Sequence, residues 1–439
     1  MLPKPAVIKN GRLIDPLQGL DQKVDLLIED GLVASVERAN SIEASDRQVI
    51  EAEGLWVLPG LIDLHVHLRD PGQEYKEDLV SGLTAAAAGG FTAVLAMPNT
   101  SPSIDRADQV ESLLSRAANA GGARLYQSAA MTRGRAGQEI NEYYDLQKSG
   151  AKAVTDDGSW VADASVMRRA LDYASVCGLL PLSHAEESTL APGGMIHEGR
   201  VSTKLGLPGQ PSEVEAIAVY RDLAVAALTG KPIHICHVSS AQALVLIREA
   251  KTKGVKVTCE TAPHYLHLTE RDLLGSEPRF EGLAGYDTNL KMKPPLRTQQ
   301  DLQALRQGLL DGTIDVIATD HAPHSVLEKD SEFSEAAFGI TGLETSFSLI
   351  FELIKTMALT PARLVELMSA RPAKILNVPG GTLRPGSIAD LTLIDPAQEY
   401  VFEASQSKSK SRNTPFDGRK LTGRVIKTIV GGHIRYQVG

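Results

Sequence analysis

The feature that most constrains the fold is an eightfold alternation of short apolar runs and longer amphipathic segments between residues 61 and 370. The runs have the length and β-branched content of buried strands, whereas segments such as 79–88 and 164–177 have the apolar spacing of helices. Strand–helix units with right-handed crossovers build a parallel sheet, and eight of them close into a barrel. The predicted strands are residues 61–66, 92–96, 123–129, 152–155, 179–183, 232–236, 256–260 and 314–318. We therefore predict the α/β class, with a (β/α)8 TIM-type barrel at residues 59–375.

Both ends of the chain instead alternate apolar and polar residues with the two-residue period of strands. Residues 23–28 and 32–36 are joined by the turn signal Glu29-Asp30-Gly31, and residues 424–430 are followed by Gly431-Gly432. The polar stretch 406–413 has the composition of a loop. We predict that residues 1–58 and 376–439 form one small composite β-sandwich domain with antiparallel pairing.

The bulk composition argues against several classes of protein. A formal net charge of −9 argues against a nucleic-acid or anionic-membrane partner. No apolar run approaches the ~20 residues needed to span a bilayer, and residues 1–5 lack the charged start and apolar core of a signal peptide. Three cysteines without metal-like spacing indicate small buried side chains in a reducing compartment. We expect a cytoplasmic protein.

Polar residues follow the predicted strands immediately. His65 and His67 are two residues apart, so a strand would direct both imidazoles to one side. Alone, this pair is equally consistent with two polar residues on a half-exposed strand. Further candidates follow the other strands: Asn99, Asp157, His184, His237, Asp320 and His324. Because the C-terminal ends of barrel strands meet at one rim, these side chains are expected to converge there.

The convergent imidazoles and carboxylates indicate a metal site. This ligand chemistry suits Zn²⁺, with Mn²⁺ or Co²⁺ as alternatives. Four histidines and two aspartates are too many for one tetrahedral ion, so two ions per subunit are favoured over one, sharing a carboxylate and a hydroxide. A carboxylate at the end of the last strand, Asp320, is placed to take and return the proton of the attacking water.

At this point the residues resemble a known family. The chain is similar over essentially its whole length to the class I dihydroorotases of the amidohydrolase superfamily. The motifs that carry the resemblance are Asp63-Leu-His-Val-His-Leu-Arg-Asp-Pro-Gly-Gln-Glu-Tyr-Lys-Glu-Asp78, Met97-Pro-Asn-Thr100, Thr155-Asp-Asp-Gly158, His184-Ala-Glu-Glu187, Cys236-His-Val-Ser-Ser240, Pro294-Pro-Leu-Arg297, Thr319-Asp-His-Ala-Pro-His324 and Phe338-Gly-Ile-Thr-Gly-Leu-Glu-Thr345.

The resemblance implies a reaction and a ligand set. The family catalyses the reversible cyclisation of N-carbamoyl-L-aspartate to L-dihydroorotate plus water, a step of pyrimidine (UMP) synthesis, by means of a metal-bridged hydroxide. The implied ligands are His65, His67 and Asp320 for one ion and His184 and His237 for the other, with Asp157 bridging and Asp320 as general acid/base. Many relatives use a carbamylated lysine as the bridge, and Lys152 lies on the same predicted strand. We favour Asp157.

The resemblance also implies substrate-binding residues. Arg69 and Asn99, with His324, match the positions that bind the α-carboxylate, and a guanidinium is a bidentate carboxylate receptor. Phe338 and Gly339 lie where the family contacts the substrate ring. The bacterial pattern often has asparagine at the position of Lys293, and lysine can donate a hydrogen bond but cannot accept one. The carry-over to Lys293 is therefore the weakest of the set.

Alternatives differ in substrate or in activity. A hydantoinase or allantoinase would share the metal ligands, but a neutral ring would not need Arg69. A metal-free homologue that serves as a structural subunit of aspartate transcarbamoylase would lose the histidines, which this chain keeps. The family commonly forms homodimers, and association with aspartate transcarbamoylase is a further expectation. The polar stretch 325–338 is expected to be a mobile lid, with a solvated surface loop as the alternative.

Overall fold

Two eight-stranded sheets organise the computed structural model, which describes residues 4–43, 45–275 and 286–439. Residues 1–3, which contribute to the predicted absence of a signal peptide, lie outside the described residues. The strands are β1 (Ala6–Asp15), β2 (Leu20–Glu29), β3 (Leu32–Arg38), β4 (Gln48–Glu51), β5 (Trp56–Pro59), β6 (Leu61–Val66), β7 (Phe91–Ala96), β8 (Arg124–Ala130), β9 (Ala153–Thr155), β10 (Leu180–Ser183), β11 (Ile196–His197), β12 (Gly209–Gln210), β13 (Ile233–Ile235), β14 (Val257–Thr261), β15 (Val316–Ile317), β16 (Leu391–Val401), β17 (Lys420–Val430) and β18 (His433–Gln437).

The α-helices of the described residues alternate with the strands from β6 onward. They are α1 (Leu79–Ala88), α2 (Ala107–Ala117), α3 (Tyr143–Lys148), α4 (Ala164–Cys177), α5 (Arg200–Leu205), α6 (Glu213–Thr229), α7 (Ala241–Thr252), α8 (Gln299–Asp311), α9 (Val326–Lys329), α10 (Leu343–Thr356), α11 (Pro361–Val365) and α12 (Arg371–Leu376). Their ends follow local chemistry. The Asp163 carboxylate accepts hydrogen bonds from the first amides of α4, and Gly178 ends that helix with a left-handed φ of 68°.

All eight predicted barrel strands are confirmed. The parallel sheet has the order β6-β7-β8-β9-β10-β13-β14-β15, so strands adjacent in this series are also adjacent in space. A parallel bridge between Val66 and His321 connects the ends of the series, and the His67 amide donates to the His321 carbonyl at 2.9 Å. The first and last strands therefore meet, and the sheet closes into the predicted (β/α)8 barrel.

One end of the barrel is filled by apolar side chains and covered by a helix. Residues from β6, β7 and β15 share a hydrophobic cluster with Ala373 and Leu376 of α12. Just before that helix, the Ser369 hydroxyl donates to the Gly60 carbonyl at 2.6 Å, at the start of β6. The helix thus covers the N-terminal end of the strands, and the opposite rim is left for polar residues.

The second sheet combines strands from both termini, as predicted. Its order is β18-β17-β16-β5-β1-β2-β3, with β4 beside β1. The expectation of antiparallel pairing was wrong at β1, which runs parallel to both β4 and β5. Strands β4 and β5 lie beside successive parts of β1, residues 6–9 and 12–13, and both run in its direction. Residues from β1 to β5 share a hydrophobic core with residues from β16 and β17, so the sheet encloses a core of its own.

The boundaries of the two domains, residues 1–58 with 376–439 against 59–375, stay a prediction. Strand β5, which ends at Pro59, pairs with β16 in the terminal sheet, and β6 begins the barrel at Leu61. The polar stretch 406–413 contains no α-helix or strand, as expected of a loop. Cys236 and Cys259 are buried and Cys177 is half-buried, and all three are free thiols. Among the described residues, no helix combines the length and apolar character needed to cross a membrane.

Candidate active site

The predicted site residues come together at the C-terminal ends of the barrel strands. A cavity of about 160 Å³ is lined by His67, Arg69, Asn99, Asp157, His184, His237, Lys293, Asp320, His324, Phe338 and Gly339. The remaining predicted residue, His65, is fully buried and contacts Asp157 through its Nε2 atom, 3.2 Å from Oδ1. Side chains from strands far apart in the sequence therefore face one small volume.

Three of these residues have strained backbones. Arg69, His237 and Asp320 have φ angles of 60°, 34° and 50°, in the left-handed region that disfavours residues with a Cβ. Each follows the end of a barrel strand, where the chain turns sharply away from the rim. Such conformations cost about 1–3 kcal/mol each and persist where surrounding contacts over-determine them, which is common at active sites.

The first half of the polar cluster, here called the His65 side, consists of His65, His67 and Asp320. His65 Nδ1 donates to Glu260 at 2.7 Å, and His67 Nδ1 donates to the Asn99 side-chain oxygen at 2.8 Å. Both imidazoles therefore present Nε2 to the carboxylates of Asp157 and Asp320. His67 Nε2 lies 3.1 Å from Asp320 Oδ1, and His65 Nε2 lies 3.7 Å from the same oxygen.

The second half, here called the His184 side, consists of His184 and His237. His184 Nε2 donates to Glu186 at 3.2 Å, which leaves Nδ1 as the inward-facing nitrogen. This Nδ1 lies 2.8 Å from His237 Nε2 and 3.4 Å from Asp157 Oδ1. Asp157 lies between the two halves, because its carboxylate oxygens are also 3.2 Å from His65 Nε2 and 3.7 Å from His67 Nε2.

These atoms fit the coordination of a divalent metal ion. His65, His67 and Asp320 place one ligand atom each within 4.8 Å of one another, and His65, Asp157 and His237 do the same. His65 Nε2 and Asp157 Oδ1 are buried and have no hydrogen-bond partner among the described residues. Buried polar atoms without partners are rare in proteins. Here the two atoms face each other, and further imidazoles lie beside them. Imidazole nitrogens and carboxylate oxygens are donor atoms that Zn²⁺ binds in proteins.

The charges of the cluster support the same interpretation. Burial alone would raise the pKa of Asp157, but the charge of His65 and the close imidazoles of His184 and His237 hold the pKa well below its usual range. Burial likewise opposes ionisation of Asp320, and the hydrogen bond from His67 with the His65 charge keeps its pKa low. Both carboxylates are ionised at neutral pH and can serve as ligands or accept protons.

Cationic and neutral polar groups lie on another wall of the cavity. The Arg69 Nε donates to the Pro323 carbonyl at 3.1 Å, and its NH2 group lies 3.3 Å from His324 Nε2. Burial lowers the pKa of Arg69 to about 10, so the guanidinium stays charged at neutral pH. Burial and the Arg69 charge lower the pKa of His324 to about 2, and its Nε2 donates to the Phe338 carbonyl at 2.8 Å.

The two lysines left open by the sequence occupy different places. Lys152 immediately precedes β9, at the end of the barrel opposite the cavity, whereas Asp157 follows that strand and lines the cavity. Lys293 also lines the cavity, and its Nζ forms an ion pair of 2.9 Å with Glu186. Lys293 is therefore connected to His184 through a single carboxylate.

The predicted lid, residues 325–338, contains the short helix α9. Its Glu328 pairs with Lys76 at 2.6 Å, and the buried Lys329 donates to the carbonyls of Ala337 at 2.8 Å and Gly339 at 3.1 Å. Val326 and Leu327 are exposed. The segment packs against the cavity wall, and its mobility stays a prediction.

Several supporting residues were not assigned a role from the sequence. Glu260 is the last residue of predicted strand seven, and His65 lies next to the last residue of the first, so the position of Glu260 gave a signal. Glu186 is part of the His184 motif. By contrast Asn413 comes from the terminal domain, and its side-chain oxygen accepts a hydrogen bond from the His324 amide. A local pattern gives no sign of such a contact.

Comparison with known proteins agrees with this geometry. The profile of the family described as "Dihydro-orotase-like" matches residues 54–243. A dihydroorotase from Anaeromyxobacter dehalogenans (strain 2CP-C) is 49% identical over 433 residues, 98% of each chain. A dihydroorotase from Geobacter metallireducens is 48% identical over 432 residues, 98% of this chain and 99% of the relative.

The fold is also found among solved structures. The L-hydantoinase (dihydropyrimidinase) from Arthrobacter aurescens superposes with a TM-score of 0.84 at 26% identity, over 99% of this chain and 96% of the other. That enzyme has the amidohydrolase architecture, so the barrel and terminal sheet are shared beyond the dihydroorotases. The near-full-length identity decides between these relatives: this chain belongs to the dihydroorotase family of cyclic amidohydrolases.

Proposed function

We propose that this protein is an active dihydroorotase, which interconverts N-carbamoyl-L-aspartate and L-dihydroorotate. The observation that carries the proposal is the buried, charged Arg69 beside His324 and Asn99, in the same cavity as the two groups of ligands. A desolvated guanidinium is costly unless an anion pairs with it, and both proposed substrates carry carboxylates. A neutral cyclic amide would leave this charge without a function.

We infer that Zn²⁺ is the metal and that two ions per chain are favoured over one. His65, His67 and Asp320 would hold one ion, His184 and His237 the other, and Asp157 would contact both. When bound, such ions lower the pKa of a water molecule and polarise the carbonyl that it attacks. Plasma emission spectroscopy on the purified protein measures both the identity and the number of the ions.

Asp320 is the proposed general acid/base. Its carboxylate is ionised, lines the cavity and lies 3.1 Å from His67 Nε2, on the wall shared by the ligands. During ring opening it would accept a proton from the attacking water and return it to the amide nitrogen that leaves. During cyclisation the same carboxylate would remove a proton from the carbamoyl nitrogen as it attacks the carboxyl carbon, and would return that proton to the oxygen that leaves as water. One residue serves both directions, as reversibility requires.

The proposed substrate contacts lie around the remaining walls. Arg69, Asn99 and His324 would bind the α-carboxylate, and Phe338 with Gly339 would contact the ring. Lys293 would donate a hydrogen bond from its Nζ to the substrate, and the substrate would compete with Glu186 for this ammonium group. These contacts hold the ring carbonyl toward the two groups of ligands, so that attack becomes effectively intramolecular.

An assay with four compounds tests the proposal. The zinc-loaded protein is expected to hydrolyse dihydroorotate at alkaline pH and to cyclise carbamoyl aspartate at acidic pH, followed by ultraviolet absorbance of the ring. Hydantoin and allantoin serve as neutral comparisons. Turnover of either neutral ring without turnover of dihydroorotate would refute the proposal in favour of a hydantoinase or allantoinase.

Cytoplasmic location, a homodimer and association with aspartate transcarbamoylase belong to the same proposal, because they follow from family resemblance. Light scattering of the purified protein tests for the homodimer. Co-elution with the transcarbamoylase of the same organism tests for the association with that enzyme.

A further inference from the structure

A loop of the terminal domain crosses onto the barrel beside the cavity. We call residues 407–413, between β16 and β17, the strap. The Ser407 hydroxyl and the Lys408 amide donate to Glu344 of α10, and the Ser411 hydroxyl donates to the Lys76 carbonyl at 2.7 Å. The strap therefore contacts both the loop after β6 and helix α10. That helix follows residues 322–341, which we call the cavity segment.

Asn413, the last residue of the strap, uses its whole side-chain amide on the cavity segment. Its Nδ2 donates to the carbonyls of Ala322 at 3.0 Å and Gly339 at 3.1 Å, and its Oδ1 accepts from the His324 amide at 3.0 Å. The Asn413 backbone carbonyl also accepts from the Thr341 amide at 2.8 Å. Asn413 is 5% exposed, so these bonds have little competition from water.

These bonds join the two ends of the wall that faces Arg69. His324 lies on the first end, beside Arg69, and Gly339 lies on the second, where it lines the cavity. The His324 ring also donates to the Phe338 carbonyl at 2.8 Å, next to Gly339. The side-chain amide of Asn413 thus connects two stretches of backbone that are 15 residues apart in the sequence. Asn413 itself belongs to neither stretch.

A second contact of the strap reaches the same rim from the other side. The Ser409 hydroxyl and the Lys410 amide donate to Glu77, which is fully buried and accepts from His321 Nε2 at 3.3 Å. His321 carries the bridge to Val66 that closes the barrel. Through Glu77 the strap therefore also contacts the side chain of His321, the residue that directly follows Asp320.

We propose that Asn413 is a positioning residue for the carboxylate-binding wall, and that it acts through His324 and Gly339. The inference rests on the proposed function, because it assigns the wall to the substrate carboxylate. Asn413 does not line the cavity, so it has no contact with the reacting atoms. The terminal domain thereby contributes to substrate binding in the barrel.

Kinetics of single and double variants test the proposal in the zinc-loaded full-length protein. Asn413→Ala is expected to raise KM for dihydroorotate at least tenfold and to change kcat less than threefold, because the carboxylate is held equally in the ground and transition states. In a His324→Ala background, Asn413→Ala is expected to add less than a twofold further increase, because the two residues act on one wall. Lys408→Ala, an exposed strap side chain whose backbone amide makes its contact, is the control and should resemble the wild type.

Hydrogen exchange separates this proposal from the proposed function. Exchange of peptides covering residues 322–341 is expected to rise in Asn413→Ala and to rise less in Asn413→Ser, which keeps one hydroxyl for bonding, with the remaining peptides unchanged. Unchanged exchange at 322–341, or multiplicative kinetic effects in the double variant, would overturn the positioning role. Absence of dihydroorotate turnover in the wild type would instead refute the proposed function and leave the exchange result as the test of Asn413.

Discussion

The two halves of the polar cluster are anchored in different ways. On the His65 side, Glu260 accepts from His65 Nδ1 at 2.7 Å and from His234 Nε2 at 3.1 Å, and all three side chains are at most 1% exposed. On the His184 side, Glu186 accepts from His184 and pairs with Lys293, whose side chain is 34% exposed and lines the cavity.

Because of this difference, the hydrogen bonds that anchor the His65 side are expected to stay the same when substrate binds, whereas those of the His184 side can change. The Glu260 carboxylate is satisfied entirely by core residues, so a ligand in the cavity has no access to it. The Glu186 carboxylate instead pairs with Lys293, and Lys293 also lines the cavity that the substrate would fill. Carboxylates that bind the far nitrogen of a metal-ligating histidine fix its tautomer and basicity. Binding of substrate is therefore expected to alter the His184 side more than the His65 side.

The largest expected effect is on the His65 side, where Asp320 combines two proposed roles. Asp320→Asn should lower kcat by about 10²–10⁴-fold because the amide cannot accept the proton. Stopped assays with dihydroorotate measure the loss, and Asp172→Asn, an exposed aspartate of α4, is the matched control. A kcat within tenfold of the wild type would remove Asp320 from the proton transfer.

The anchoring carboxylates test the comparison directly. Glu260→Gln should weaken zinc binding by about 10–100-fold, because His65 loses its charged acceptor inside the core. Glu186→Gln should weaken binding by less, since solvent and Lys293 can compensate. Competition with a chromophoric chelator measures both dissociation constants, with the exposed Glu249→Gln as control. Equal losses in the two variants would show that the halves are not distinct.

A smaller effect is expected at Lys293. Lys293→Met keeps the aliphatic stem but removes the ammonium, so KM for dihydroorotate should rise several-fold while the zinc bound on the His65 side stays in place. Lys253→Met on the surface is the control. If zinc affinity and KM both equal those of the wild type, Lys293 does not connect the substrate to Glu186.

The smallest effect concerns pH. His197 Nδ1 accepts from Arg297 at 3.2 Å, and Arg297 donates to Ser239, two residues after His237. Burial, and then the Arg297 charge, lower the pKa of His197 to about 4. Between pH 6.5 and about 4 the unfolded chain therefore binds a proton that the folded chain does not, so stability falls as the pH drops through this window.

Glutamine at this position separates His197 from the other groups that titrate. His197→Gln keeps an acceptor for Arg297 without a titration, so its melting temperature should depend less steeply on pH between 6.5 and 4. The change in slope is expected to be a fraction of the one-proton limit of about 1.4 kcal/mol per pH unit. If the melting temperatures of variant and wild type change equally with pH across this range, the assignment is wrong.

The barrel was predictable because its signal is local. Each strand and helix shows its period within about ten residues, and the proposed ligands follow the strands directly, as barrel geometry requires. The parallel placement of β4 and β5 beside β1 was not predicted, because pairing partners depend on contacts between distant segments. The alternation of apolar and polar residues along a strand is the same whether its neighbour runs parallel or antiparallel to it.

The supporting residues of the site show the same limit. Glu260 ends a predicted strand, but its bond to His65 spans 195 positions of the sequence and depends on how the barrel closes. Asn413 was placed in a predicted loop, correctly, yet no periodicity records which surface a loop crosses. Sequence patterns therefore predicted the candidate site residues that line the cavity, whereas the partners that hold these residues in place became visible only in the structure.

The closure of the barrel gives the proposed metal ligands a mechanical role. Strand β15 has only two residues and meets β6 through the bridge at His321, while His67 and Asp320, 253 positions apart, lie 3.1 Å from each other across this junction. An ion held by both would be a cross-link between the two ends of the barrel. Cross-links that enclose long loops remove the most entropy from the unfolded chain. Chelation should therefore loosen the junction of first and last strands while the terminal sheet keeps its pairing.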